Sequence, residues 1–252
     1  MRFLLILFCL SLPTILTAQS APAGDALAQG DAAYAAMNFR EALARYTLAA
    51  EAQPGNYQAA WKHARALVDA GEMESDKDTR KSFFDQALTE ANRAIALDSS
   101  GAKGYLFKSV AMGRVALDAG ARDRVRMSKE IRAAVEKSLE LDPKDDIAWH
   151  VLGRWHHKVS TLSWIEKRFA NMFFGGIPAD ASLQKAADCF KRAIAIKPDG
   201  VSHHFQLGVT YQAMGEKNLA IESFEKTLAL PVGDPEDPDY QAQAREHLRD
   251  LK

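Results

Sequence analysis

The feature that most restricts the fold of this chain is a triplet of small or apolar residues, spaced four and then three apart, that recurs five times in order. Ala42, Tyr46 and Ala49 precede Pro54, and the triplet returns as Ala87, Ala91 and Ala94 before Ser99 and as Ile131, Val135 and Ser138 before Pro143. It appears again as Ala186, Phe190 and Ala193 before Pro198, and as Ala220, Phe224 and Thr227 before Pro231. Spacings of four and three place the three residues on one stripe of a helix. Small side chains on that stripe mark where a neighbouring helix comes close, and a proline ends the helix because it cannot continue one.

Each triplet is preceded by a second helical pattern. Trp149-x2-Leu152-Gly153-x2-His156 and Leu207-Gly208-x2-Tyr211 match the opening of the tetratricopeptide repeat. Gly153 and Gly208 let paired helices approach, and the large flanking residues fill the space between them. The expected fold is all-α, a tetratricopeptide-like α-solenoid of about five helix pairs with inter-helix insertions, closed by a capping helix over about 235–251. The distance from the first helix to the triplet is 16 residues for Ala26 to Ala42 and for His204 to Ala220, 26 for Trp61 to Ala87 and for Tyr105 to Ile131, and 37 for Trp149 to Ala186. The extra residues are expected between the two helices of a pair, where an array extends without breaking its stacking.

The largest insertion carries Trp164, Ile165, Phe169, Met172, Phe173 and Phe174 in a chain that is otherwise Ala-rich and charged. Ser163 and Glu166 have the spacing of a capping box, and Gly175, Gly176 and Pro178 end the segment, which predicts a short helix over 163–174. Ile165, Phe169, Met172 and Phe173 share one face of it. A helix this short is marginal alone, so docking on its own repeat is the expectation, with a ligand lid or a membrane or partner contact as the alternatives. At the N-terminus, Arg2, an apolar stretch over 3–16 and small residues over 17–21 predict a signal peptide at 1–20, a repeat domain at 21–252 and export to a periplasmic or secreted location. The apolar stretch is shorter than the roughly 18 to 20 residues that span a bilayer. Loss of Cys9 with the signal leaves Cys189 alone, a small buried hydrophobe with no internal disulfide.

The 32 Lys and Arg nearly balance the 33 Asp and Glu, which argues against a nucleic-acid binder. Gly175-Gly176 precedes Ile-Pro and does not open a phosphate loop. His150, His156, His157, His203 and His204 gather in neighbouring helices without an HExxH, a CxxC or a carboxylate pair, so they read as packing or groove lining. The run "ARDRVRMSKE" at 121–130 reads as a solvated helix start. No metal, no cofactor and no enzymatic activity is expected.

In such arrays the first helix of each pair lines a concave groove. That register assigns Lys103, Arg114, His150, Arg154, His157, Lys158 and Phe205 to a partner-binding groove, with Leu27, Asp31, Tyr34, Leu106, Val110, Ile147 and Gln212 beside them. The stripe is partly basic and suits an acidic or C-terminal peptide. A chaperone-tail clamp is not expected, because its Lys and Asn positions hold Leu27 and Asp31. The function read from these residues is a non-enzymatic scaffold for a protein or peptide. The alternative is a carrier of a lipid or other apolar ligand, with the 163–174 helix as wall or lid; a buried apolar cavity favours the carrier and an open charged groove the scaffold.

The segment "AWHVLGRWHHKVSTLSWIEKRFANMFFGGIPADASLQKAADCFKRA", followed by "LGVTYQAMGEKNLAIESFEKTLALPVGDPED", resembles the regulator of microtubule dynamics family. In that family an LGRW helix leads into a V-x-x-LSW segment, a short apolar stretch ending in Gly and Pro, and then a helix of the repeat. The resemblance covers roughly 25–251, and the motif positions fall on Gly153, Arg154, Trp155, Leu162, Ser163 and Trp164, which read mainly as architectural. It implies the fold and a non-covalent mode of action. Animal members are described as binding microtubules or sitting at mitochondrial and reticulum membranes, and one branch is proposed to handle lipids.

Overall fold

The fold is taken from a computed structural model, which describes residues 23–162, 168 and 180–252. The signal peptide expected at 1–20 and the apolar helix expected over 163–174 lie outside the described residues.

All fifteen triplet residues are buried, and fourteen of them are 0% exposed, Ile131 at 9% being the exception. This stripe sets the helix ends as well as the packing. The backbone N–H groups of Gln53, Asp98, Asp142 and Lys197 donate to the carbonyls of Ala49, Ala94, Ser138 and Ala193, the last residue of each triplet. The helices stop at Ala52, Leu97, Leu141 and Ile196, two residues before Pro54, Ser99, Pro143 and Pro198. Their starts are marked by side chains of Asn38, Asn56, Asp76, Asp145 and Ser182, which accept hydrogen bonds from backbone N–H groups of the first turn.

Eleven helices result among the described residues. In chain order they are α1 (Ala23–Ala35), α2 (Phe39–Ala52), α3 (Tyr57–Glu72), α4 (Lys77–Leu97), α5 (Ala102–Asp118) and α6 (Ala121–Leu141). They continue with α7 (Asp146–Ser160), α8 (Leu183–Ile196), α9 (Val201–Met214), α10 (Lys217–Ala229) and α11 (Asp237–Leu251). Each odd helix from α1 to α9 packs on the helix that follows it, each pair stacks on the next, and α11 covers the last pair. The capping helix thus falls within the range expected of it.

The paired helices come close through glycine. A Cβ on Gly153 would lie 2.8 Å from the Phe190 ring, and one on Gly208 would lie 2.7 Å from the Phe224 ring. The extra residues of the second and third repeats lengthen the helices more than the connections. α4 and α6 have 21 residues each, against 14 in α2 and 13 in α10. Only residues 73–76 separate α3 from α4, and only 119–120 separate α5 from α6. Added helical turns continue the stripes and bury further side chains such as Phe84, which a loop of equal length does not do.

Candidate functional site

The odd-numbered helices α3, α5, α7 and α9 form one row, and that row lines a cavity of about 1070 Å³. The first half of α6 and residues 234–240 complete the wall. That last segment comes from the far end of the chain, and it is held in shape locally. The Asp237 carboxylate accepts hydrogen bonds from the backbone N–H groups of Gly233 and Asp234, both at 2.8 Å. Its apolar lining includes Phe107, Val110, Val125, Ile131, Val151 and Val159, and charged residues lie among them.

The charged lining begins on α3, where Arg65, Asp69 and Glu72 follow the same four-and-three spacing. Arg65 stacks over the Tyr34 ring at 3.5 Å from its centroid and donates to the Tyr46 hydroxyl at 3.1 Å. The Asp69 carboxyl is pushed up to about 7 by burial, against the pull of Arg65. Its Oδ2 is buried without a hydrogen-bond partner. Burial also raises the Glu72 carboxyl, to about 8, despite the opposing charge of Arg114; Glu236 and Asp69 add to the rise. The Arg114 guanidinium contacts the Glu72 carboxyl and lies 3.8 Å from Glu236, so it joins α5, α3 and the segment before α11.

A second polar chain crosses from α7 to α9. His150 Nδ1 and His203 Nδ1 are 2.9 Å apart, and His203 Nε2 lies 3.0 Å from Asp146 Oδ2. Burial, reinforced by His203 and Arg154, holds His150 well below the ordinary histidine range. Burial works to raise the Asp146 carboxyl, but the hydrogen bond and charge of His203 outweigh it and hold the group below the usual carboxylate range.

Arg154 follows His150 by one turn and lines the same cavity. It sits deep enough that burial, with the like charge of Arg114, lowers its pKa. Unlike Arg114, it makes no ion pair with a carboxylate among the described residues. Its neighbours in the motif have plain structural roles. Gly153 admits Phe190, and Trp155 Nε1 donates to the Ser128 carbonyl at 2.8 Å, fastening α7 to α6.

Of the residues the sequence assigns to the groove, Arg114, His150, Arg154 and Lys158 line the cavity together. Three lie elsewhere. Lys103 pairs with the buried Asp145 carboxylate at 2.6 Å, at the base of α5. The His157 ring is bonded to Thr210 Oγ1 at 3.1 Å, in the seam between α7 and α9. Phe205 is 3% exposed and packs among Phe224, Tyr240 and His247, because α11 covers the side of α9 that an uncapped array leaves open. The groove residues that sequence reasoning missed are Arg65, Asp69 and Glu72, whose stripe on α3 was readable, and Glu236 and Tyr240, whose return across the groove no local spacing signals.

Among the described residues no cluster of His, Cys, Asp and Glu is suited to hold a metal ion. Cys189 is buried, and burial raises its thiol to about 11, which suppresses the thiolate. No described helix is long and apolar enough to cross a membrane.

Residues 26–252 match the family model described as regulator of microtubule dynamics protein 1-3. Regulator of microtubule dynamics protein 1 of Bos taurus is 28% identical over 75% of this chain and 60% of its own length. Regulator of microtubule dynamics protein 3 of Rattus norvegicus is 29% identical over 74% of this chain and 40% of its own length. The chain therefore spans about half the length of these curated relatives. Among solved structures, a thermophilic TPR protein of Thermus thermophilus superposes with a TM-score of 0.64 at 18% identity, over 90% of this chain and 99% of that one. That likeness is one of fold.

Proposed function

This chain belongs to the regulator of microtubule dynamics family, and from that premise we propose that it acts without covalent chemistry, as a scaffold that holds an extended protein segment in its concave groove. The observation that carries the proposal is the cavity of about 1070 Å³, lined by both apolar and charged side chains. Its size is at or above the upper end of small-molecule pockets, about 300–1,000 Å³. An extended peptide offers apolar side chains to the one kind of lining and backbone and charged groups to the other. A purely apolar ligand would leave the buried Asp69 Oδ2 without a hydrogen-bond partner, which is costly. The reading concerns the groove alone; the microtubule partner in the relatives' names is not carried over, because the aligned region is only 60% of one relative and 40% of the other.

Gly113 supplies the test. It lines the cavity, and a Cβ added there meets nothing within 4 Å, so Gly113→Phe is the substitution chosen to place a ring in the groove, with thermal melts as the check on packing. Peptides selected from a random display library against the full chain should bind wild type and lose at least tenfold in affinity to Gly113→Phe, while thermal melts of the two proteins agree. Equal affinity would put the binding surface outside the groove and sink the reading. Capture of phospholipid from vesicles by wild type, lost in Gly113→Phe, with no peptide selected, would favour the carrier instead.

A further inference from the structure

Residues 234–240 reach from the last helix to the far wall of the groove, and their hold on that wall is polar. α11 itself packs on α9 and α10, and Lys197, before α9, keeps Asp234 at 3.3 Å. Across the gap, Glu236 lies 3.8 Å from the Arg114 guanidinium and within hydrogen-bonding reach of the Glu72 carboxyl. Two carboxyl groups that close on each other repel when both are ionised, and a proton between them turns the contact attractive. Glu72 is the more sheltered of the two, 15% exposed against 41%, and burial penalises charge, so the proton belongs on Glu72. Protonated Glu72 donates to the Glu236 carboxylate, and Arg114 beside both supplies the counter-charge.

We propose that residues 234–240 are a strap latched by this shared proton: with Glu72 protonated the strap lies across the groove, and with Glu72 ionised it releases and the groove opens. Each helix pair touches only its neighbours, so the array can change its curvature by small adjustments spread over several pairs. The latch governs access whatever the groove takes, and it stands apart from the peptide reading. In the open form the hydrated carboxyl loses its proton near pH 4.3 or about that value. In the closed form burial, opposed by Arg114 and joined by Glu236 and Asp69, raises it to about 8. Between those values the open form gains on the closed form by about tenfold per pH unit, and above about pH 8 the ratio levels off because both forms are ionised. Other groups around the latch are Arg65 and Asp69 on α3, Arg154 on α7, and Asp234 and Tyr240 on the strap, with Tyr34 of α1 against Asp69. Of these, Asp69 titrates in the same window, its carboxyl pushed up to about 7.

The test is the distance between nitroxide labels at Met73→Cys, just past α3, and Asp239→Cys, on the strap, read by double electron–electron resonance on the full chain carrying Cys9→Ser. Both labelled positions are exposed, and Cys189 is buried with its thiolate suppressed and stays in place. This protein should give one short distance at about pH 5, and a second, longer one whose ratio to the first grows by up to about tenfold per unit as far as about pH 8 and then levels off. Glu72→Gln still donates to Glu236 and cannot ionise, so it should keep the short distance at every pH. Glu236→Ala removes the strap's half of the latch and should show the long distance at every pH. Circular dichroism melts check that the variants fold; if Glu72→Gln does not, Glu236→Ala decides. A single short distance at every pH, unchanged by Glu236→Ala, means that the strap is fixed by other contacts and overturns the latch. A long distance at every pH in the labelled parent overturns it too. A pH response that survives in Glu72→Gln belongs to Asp69 and overturns the assignment of the proton to Glu72.

Discussion

Gly113 and Gly153 sit on the same row of helices, yet an added methyl group has opposite consequences at the two. At Gly153 the new Cβ would lie 2.8 Å from Phe190, which is 0% exposed and has no room to withdraw. Overpacking of this kind costs about 1–3 kcal/mol, more than the roughly 1 kcal/mol that alanine gains over glycine in a helix. At Gly113 the space is open and only the helical gain remains. Gly153→Ala should therefore lower the urea midpoint, whereas Gly113→Ala should raise it by the equivalent of about 0.5–1 kcal/mol. Shifts of the same sign would show that the glycines are interchangeable helix positions and that the Gly153–Phe190 contact does not limit the approach of α7 and α8.

At the scale of the element, α5 shows how one helix is started by another. Gly101 has no side chain with which to cap it, and the Tyr57 hydroxyl, from the first residue of α3, accepts from the backbone N–H of Lys103 at 3.1 Å and of Gly104 at 3.4 Å. Tyr57→Phe removes the acceptor and little else. It should destabilise the protein by about 1 kcal/mol in chemical denaturation, and an unchanged midpoint would mean that solvent serves those N–H groups equally well. Contacts of this sort divide what the sequence discloses from what it withholds. The triplets were legible because burial of a helical stripe repeats at fixed spacing, and they give the helix ends, the pairing and the capping helix. The lengthening of α4 and α6 was not, because charged residues over 77–82 and 121–130 read equally well as a connection until their stripe is seen to continue. The four assigned residues that line the cavity together, Arg114, His150, Arg154 and Lys158, come from repeats whose register was clear. Phe205 lies outside the cavity although its register was clear, because α11 packs over it. The His150–His203 contact joins residues 53 apart, and only the stacking of α7 on α9 brings them together.

Across the whole molecule, the two ends of the array are coupled through groups that titrate. Asp69 and Glu72 hold their protons to about pH 7 and pH 8 in the folded protein, whereas unfolded carboxyls ionise near 4. Where the native state binds more protons than the unfolded one, stability falls as pH rises, so these two groups should cost stability from about pH 4 upward until they ionise near pH 8. The histidines His150, His156, His157 and His204 work the other way, since desolvation lowers their pKa values and the unfolded chain takes up their protons as pH falls below about 6.5. Between pH 7 and 9 the histidines are neutral in both states and the carboxyls act alone. The urea midpoint should drop over that interval, and Asp69→Asn should flatten the drop. A midpoint that does not change would show Asp69 and Glu72 already ionised at neutral pH.

The ion pair from Arg114 to Glu236 also sets a limit on how such a protein can change over generations. An open stack of helix pairs gains or loses a unit by duplication or deletion, since each pair touches only its neighbours. Here the segment at 234–240 must arrive opposite α3 and α5, and it arrives there only after this number of pairs. One pair more or fewer carries it past or short of Arg114 and leaves the guanidinium and Glu72 without their third partner. The repeat count is thereby fixed by a contact whose second partner, Glu236, lies outside the repeats.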